Sequence, residues 1–218
     1  IVEASDVSGL SFTVTGDGTD TDHFFIDAAA AGTYDFSAIV IDNTLTKGMA
    51  GLDGTGHSGN DVITTGSGAD VIASNGGNDT ITAGLGKDSI TGGAGIDTIV
   101  IATADTGKTV ATADVVASFT SGTDKLSLGT AGTAANYSEA TGNTVTGTLG
   151  AATALADTAM NGTIKYHFIF DIDIDLGGGA GLDGALFIDA DMDGTHDDMI
   201  ILTALDAAGD LALGDIIA

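Results

Sequence analysis

Five aspartates stand in unbroken nine-residue register: Asp61, Asp70, Asp79, Asp88 and Asp97. Two further columns keep the same step. A glycine lies two residues before each aspartate (Gly59, Gly68, Gly77, Gly86, Gly95), and an isoleucine lies two residues after it (Ile63, Ile72, Ile81, Ile90, Ile99). Three columns without a miss are a structural repeat, not a bias of composition. A period of nine is too short for a helical hairpin or a propeller blade, so each unit can hold only one tight turn and one very short strand. Glycine supplies the positive φ and close backbone approach that such a turn needs. The x-Ile-x tripeptide alternates out, in, out, placing one isoleucine per unit inside. Two units then make one coil, the strands stack into two parallel sheets, and the isoleucines fill the thin space between them.

The aspartate falls on the turn, where successive coils bring the carboxylates of units n and n+2 together. Bare carboxylates stacked this way repel. A hard divalent cation between coils removes the repulsion, and turn carbonyls complete an all-oxygen shell suited to Ca²⁺. On this reading the neighbouring pairs are Asp61 with Asp79, Asp79 with Asp97, and Asp70 with Asp88, and Asp79 alone belongs to two of them. The metal-ligating set is the five aspartates and the five glycines of the register.

The unit resembles the nonapeptide G-G-x-G-x-D-x-U-x of the RTX (repeats-in-toxin) family. Its fullest copy is Gly92-Gly93-Ala94-Gly95-Ile96-Asp97-Thr98-Ile99-Val100; the first two columns drift to Gly56-His57, Thr65-Gly66, Ser74-Asn75 and Ala83-Gly84 elsewhere. Asp114-Val115-Val116, the turn Phe119-Thr120-Ser121-Gly122-Thr123-Asp124 and Leu126-Ser127-Leu128 resemble the segment that follows the roll in that family. A roll needs such a cap, because its open end exposes a strand edge and the isoleucine stack. The resemblance spans roughly residues 51–128. It implies an all-β fold with a parallel β-roll, several bound Ca²⁺ ions and type I secretion.

Composition fits. Among 218 residues there are 29 Asp but only two Glu, five Lys and no Arg, for a formal net charge of −26. A merely solvating acidic surface, as in halophiles, would use Glu as well; short-armed Asp suits ligands on turns. Such a charge opposes nucleic acid and anionic membranes as partners. Cys is absent, so disulfides and thiolate metal sites are excluded, and bound metal is the obvious staple for an extracellular chain. No apolar run reaches membrane-spanning length. The start Ile1-Val2-Glu3-Ala4, without Met or a basic segment, reads as a processed or excised piece.

Three parts are expected: an N-terminal β segment (1–50), the calcium roll (51–102) and a C-terminal β cap (103–218). Ser11–Thr15 and Ser37–Ile41 read as strands, and Asp17, Asp20 and Asp22 share a loop between them. Gly51-Leu52-Asp53-Gly54 reads as a degenerate coil, its aspartate one place out of register. Ala151–Met160 suits a short helix. Tyr166–Phe170, Ala185–Ile188 and Met199–Leu202 read as strands. The last two flank Asp189-Ala190-Asp191-Met192-Asp193-Gly194, a D-x-D-x-D-G opening. Position twelve would be Ile200 where an EF-hand needs a bidentate Glu, so an EF-hand is excluded; a hairpin calcium loop using Asp189, Asp191 and Asp193 remains, with Asp197 or Asp198 as a further ligand. Leu211–Ala218 resembles the C-terminal secretion signals of RTX proteins.

No H-E-x-x-H or G-x-S-x-G motif occurs, and Gly54–Gly59, a formal G-x-G-x-x-G, lacks the strand before it and the helix after it. The expectation is a non-catalytic, secreted, calcium-binding structural protein that assembles outside the cell as a surface layer, lattice or filament. The alternatives are the calcium-stiffened end of a large adhesin, with a cell-surface glycan as partner, and the secretion module of an RTX protease or lipase.

Overall fold

A computed structural model of the chain describes residues 2–3, 12–14, 23–27, 33–35, 39–41, 51–55, 60–65, 68–141, 149–160, 162–172, 183–203, 205 and 209–218; before residue 60 it describes backbone pairing. The early strands are β1 (Val2–Glu3), β2 (Phe12–Val14), β3 (His23–Asp27), β4 (Thr33–Asp35), β5 (Ile39–Ile41) and β6 (Gly51–Thr55). Each repeat then yields one three-residue strand: β7 (Val62–Thr64), β8 (Val71–Ala73), β9 (Thr80–Thr82), β10 (Ser89–Thr91) and β11 (Thr98–Val100). Alternate strands go to opposite sheets. Ile63, Ile81 and Ile99 align in one sheet and Ile72 and Ile90 in the other, all parallel. Every paired residue is therefore eighteen positions from its partner, which is the two-unit coil expected from the period.

In each repeat strand the central isoleucine is buried, at most 2% exposed, while its neighbours face out or are half-covered. The five isoleucines form one stack that continues into Val116, Phe119, Leu126 and Leu128. Burying each contributes about 2 kcal/mol, and no side chain larger than isoleucine enters the stack within the repeats.

The two sheets outrun the repeats at both ends. Upstream, β6 pairs with β8, β3 with β6, β1 with β3, and β4 with β7. Gly54 aligns with Ile72, so Asp53 matches Val71 and stands one place off the aspartate column. Strands β2 and β5 pair with each other. Downstream, β12 (Asp114–Ala117) follows β10 and β13 (Lys125–Ser127) follows β11, aligning Val116 with Ile90 and Leu126 with Ile99. The sheets thus run without a break past residues 50 and 102, where the sequence divided.

The larger sheet then changes character. Strands β14 (Tyr137–Thr141), β15 (Tyr166–Ile172), β16 (Asp183–Ile188) and β17 (Asp198–Thr203) extend it in the order β12-β17-β16-β15-β14, with β16 antiparallel to both its neighbours. One face continues the isoleucine stack through Tyr166, Phe168, Leu186, Ile188, Ile200 and Leu202. The other face is covered by α1 (Leu149–Ala159), whose Ala152 and Ala156, with Met160 just beyond it, lie on Ile169, Phe187, Met199 and Ile201. Both faces being covered, β16 and β17 read as continuous apolar runs instead of alternating ones. At the end of the chain Leu213–Asp215 makes one 3₁₀ turn, and β18 (Ile216–Ile217) joins the smaller sheet beside β13. The protein is all-β, a parallel roll with one α-helix among the described residues.

Candidate metal centre: two ladders of buried aspartates

The turn aspartates are buried despite their charge: Asp61, Asp70, Asp79, Asp88 and Asp97 are each at most 3% exposed. One carboxylate oxygen of each of the later ones is committed to the neighbouring coil. Asp61 N–H donates to Asp79 Oδ1 (2.8 Å), Asp79 N–H to Asp97 Oδ1 (3.0 Å) and Asp70 N–H to Asp88 Oδ1 (2.8 Å). Each carboxylate so caps the amide of the aspartate one coil earlier. The ladders then leave the repeats: Asp88 N–H donates to Asp114 Oδ1 (2.9 Å) and Asp97 N–H to Asp124 Oδ1 (3.0 Å). Two series result, 61-79-97-124 and 70-88-114. The expectation that Asp79 alone has two carboxylate neighbours is corrected, because Asp97 and Asp88 also lie between two. The two-unit step of eighteen cannot locate Asp114 and Asp124, which follow their ladder predecessors by 26 and 27 residues; the signal for them is the strand pattern on either side.

The second oxygens carry the chemistry. Oδ2 of Asp79, Asp88, Asp97 and Asp114 is buried and accepts no hydrogen bond. An ionised carboxylate with a desolvated, unpaired oxygen is costly. Burial pushes the Asp88 carboxyl up to about 9 and that of Asp114 up to about 7, each helped by neighbouring carboxylates. Asp97 is raised as well, by burial first and then by the charges of Asp124 and Asp79. A divalent cation is the group that would let these carboxylates stay ionised, and the donor set is hard oxygen throughout, as Ca²⁺ requires. The residues present fit it.

Glycine is dictated at these turns by backbone contact. Gly86 and Gly95 have φ of +135° and +140°, and a Cβ at either would overlap the carbonyl of Gly68 or Gly77 one coil earlier. The carbonyl of one coil therefore lies directly against the glycine of the next. Gly68, Gly77, Gly86 and Gly95 all hold this place; Gly59 lies outside the described residues, as do Asp17, Asp20 and Asp22. The drifted columns also have a reason. Asn75 adopts the left-handed φ (73°) of Gly84 and Gly93, which asparagine tolerates. Thr65 and Ser74 donate hydroxyls to the carbonyls of Ala83 (2.5 Å) and Gly92 (2.6 Å) in the next coil.

The D-x-D-x-D-G loop behaves differently. It joins β16 to β17, and it brings together ligand-type oxygens of Asp189, Asp191 and Asp197, all within 4.8 Å of one another. Asp193 is not part of that group: its Oδ1 accepts from Thr195 N–H and Oγ1–H, and these bonds hold its carboxyl below the usual range. Both oxygens of Asp189 already accept amides, from Asp193 and Gly194, and Asp197 accepts from Ala190 and Asp191. The loop is closed by its own backbone. Ile200, where an EF-hand needs its last ligand, is fully buried in β17.

Fold and site together define a calcium-binding parallel β-roll. Residues 55–81 and 64–99 match the family model of the RTX calcium-binding nonapeptide repeat (4 copies). This segment of the chain is similar to the RTX calcium-binding repeats. No curated protein matches the chain.

Proposed function

We propose that this chain is a secreted structural protein, without catalysis of its own, that stays unfolded at low calcium and folds outside the cell, where it assembles into a layer, lattice or filament. The observation that carries the calcium-gated part is the buried Oδ2 atoms of Asp79, Asp88, Asp97 and Asp114, which accept no hydrogen bond. Extracellular calcium modules operate at roughly 10⁻⁴–10⁻³ M, above cytoplasmic levels, so one ion can gate folding by compartment. The repeats are of a kind typically exported by type I systems, which suits an unfolded passenger. Among the described residues no helix is long and apolar enough to cross a membrane.

The non-catalytic reading draws on the polar contacts. Ser138 Oγ meets His167 Nδ1 at 2.5 Å, which would suggest a nucleophile and its base. The opposite ring nitrogen, where a carboxylate would orient the imidazole, is buried and accepts or donates nothing. Burial pushes this histidine down to about 4, so it serves as a neutral hydrogen-bonding group between β14 and β15. The assembly part draws on sequence: Cys-free, Lys-poor, Ala/Thr/Gly-rich composition persists on both sides of the repeats.

Electron microscopy and light scattering of the purified chain test it. Ordered sheets or filaments in millimolar calcium, dispersing on chelation, support the proposal. A monomer that stays dispersed but binds glycans supports the adhesin reading instead, and a hydrolase domain in the same reading frame supports the secretion-module reading.

A further inference from the structure

We infer that β14 and α1 form an acid-released flap, held on the C-terminal sheet while the buried ring of His167 is neutral and let go when that ring becomes an imidazolium. The device lies outside the aspartate ladders and does not depend on calcium.

The flap is one stretch of chain. Strand β14 forms the edge of the larger sheet, and α1 follows it and covers one face before β15 begins. Both elements rest on β15, and His167 stands where they meet. It aligns with Ser138 of β14 on one side and with Phe187 of β16 on the other. Tyr166 and Phe168 point into the isoleucine stack, so alternation turns His167 and Ile169 toward α1. The residue is 2% exposed.

The two ring nitrogens are treated differently. Nδ1 lies 2.5 Å from Ser138 Oγ, while Nε2 is buried and finds no hydrogen-bond partner among the described residues. A neutral imidazole has one donor and one acceptor, and a hydroxyl can answer either, so closure leaves one neutral nitrogen over. An imidazolium must donate from both. Its Nε2–H would bring charge into an apolar interior with no acceptor, which costs far more than an idle neutral nitrogen.

No charge around the ring offsets that cost. On β14, Glu139 accepts from Tyr137 OH and Gly209 N–H. On α1, Asp157 accepts from the backbone and ring of His196, and His196 meets the Phe187 ring edge-on. On β15 itself, Lys165 lies over the Tyr166 ring and reaches Thr130. Burial alone therefore lowers the ring, from 6.5 to about 4. The open flap returns it to its ordinary value, so closure is strongest above about pH 6.5 and weakens as pH falls toward 4. Between pH 7.5 and 4.5 these values make the opening equilibrium rise about 70-fold. Opening uncovers Ile169, Phe187, Met199 and Ile201, together with the edge of β15.

Hydrogen exchange of the full chain in millimolar calcium, read by mass spectrometry at pH 7.5 and 4.5 and corrected for intrinsic exchange, decides the matter. Peptides over 137–141 and 149–160 are expected to lose protection by about 70-fold, and peptides holding Ile81 and Ile99 to keep theirs. His167→Asn keeps a side-chain oxygen for the Ser138 hydroxyl but cannot ionise, and should remove the acid response of the flap. Unchanged protection at pH 4.5, equal loss in flap and roll, or undiminished loss in His167→Asn overturns the inference. Should that variant not fold, titration of the His167 ring by nuclear magnetic resonance in the wild-type chain decides: a midpoint near 4 supports the latch, and an ordinary one near 6.5 overturns it.

Discussion

Protons should replace calcium. In the calcium-free fold the Asp88 carboxyl is raised to about 9 and Asp114 to about 7, mainly by burial, against about 3.8 in an unfolded chain. The folded state therefore binds more protons than the unfolded state between those values, and its stability falls as pH rises through that window. At pH 7 folding must protonate Asp88 against its unfolded preference, at a cost of about 4 kcal/mol, and Asp114 adds nearly as much. At pH 4 the two together cost about 1 kcal/mol, so roughly 7 kcal/mol separates the two conditions. That is comparable with the whole stability of a small domain. The chain, stripped of calcium by dialysis at pH 8 and diluted into calcium-free buffers, should show β-type circular dichroism at pH 4 and lose it by pH 7. Millimolar calcium should restore it at pH 7. The net charge of −26 also titrates, so the control is Asp88→Asn/Asp114→Asn. Its amides keep the Oδ1 bonds but cannot ionise, and most of the pH dependence should vanish. Equal calcium-free structure at pH 4 and pH 7 in the wild type refutes the reasoning, as does a double variant with undiminished pH dependence.

Further outcomes follow from the roll and its cap. Ile81 is fully buried between Ile63 and Ile99; Ile81→Ala should cost about 2–5 kcal/mol, read as a lower melting temperature and a higher calcium midpoint for folding. Gly86→Ala places a methyl on the Gly68 carbonyl, whereas Gly122→Ala, also at positive φ, meets open space. The second should lose about 1 kcal/mol and the first should abolish cooperative folding in thermal melts. Asp215 is fully buried; burial alone would raise its carboxyl, yet Ser121, Lys125, Ala212 and Gly122 together hold it low. Asp215→Ala strands the Lys125 ammonium and should cost about 3 kcal/mol, with hydrogen exchange at Leu128, whose amide donates to Ile217, rising before that of the repeat isoleucines.

The repeat made the roll legible because each of its columns answers a local demand. Positive φ and carbonyl contact select glycine at positions such as Gly86, a single inward side chain selects Ile81, and the turn carboxylate selects Asp79. A constant period also dictates register, since coils of eighteen residues can stack only on themselves. The strands Ala185–Ile188 and Met199–Leu202 were visible as apolar runs for a similar reason: both their faces are covered. Long-range pairing was not visible. Nothing local in Asp198–Thr203 says that it lies parallel to β12, because the chain returns to the roll some eighty residues after leaving it, and packing against the isoleucine stack chooses the partner. The fate of each carboxylate was likewise decided in three dimensions. Asp193 sits in a D-x-D-x-D-G pattern yet turns to Thr195, while Asp114, in no pattern of fixed spacing, closes a ladder with an oxygen left open for a cation. Sequence spacing specifies which backbone can repeat; which oxygens meet depends on where the neighbouring coil places its amides.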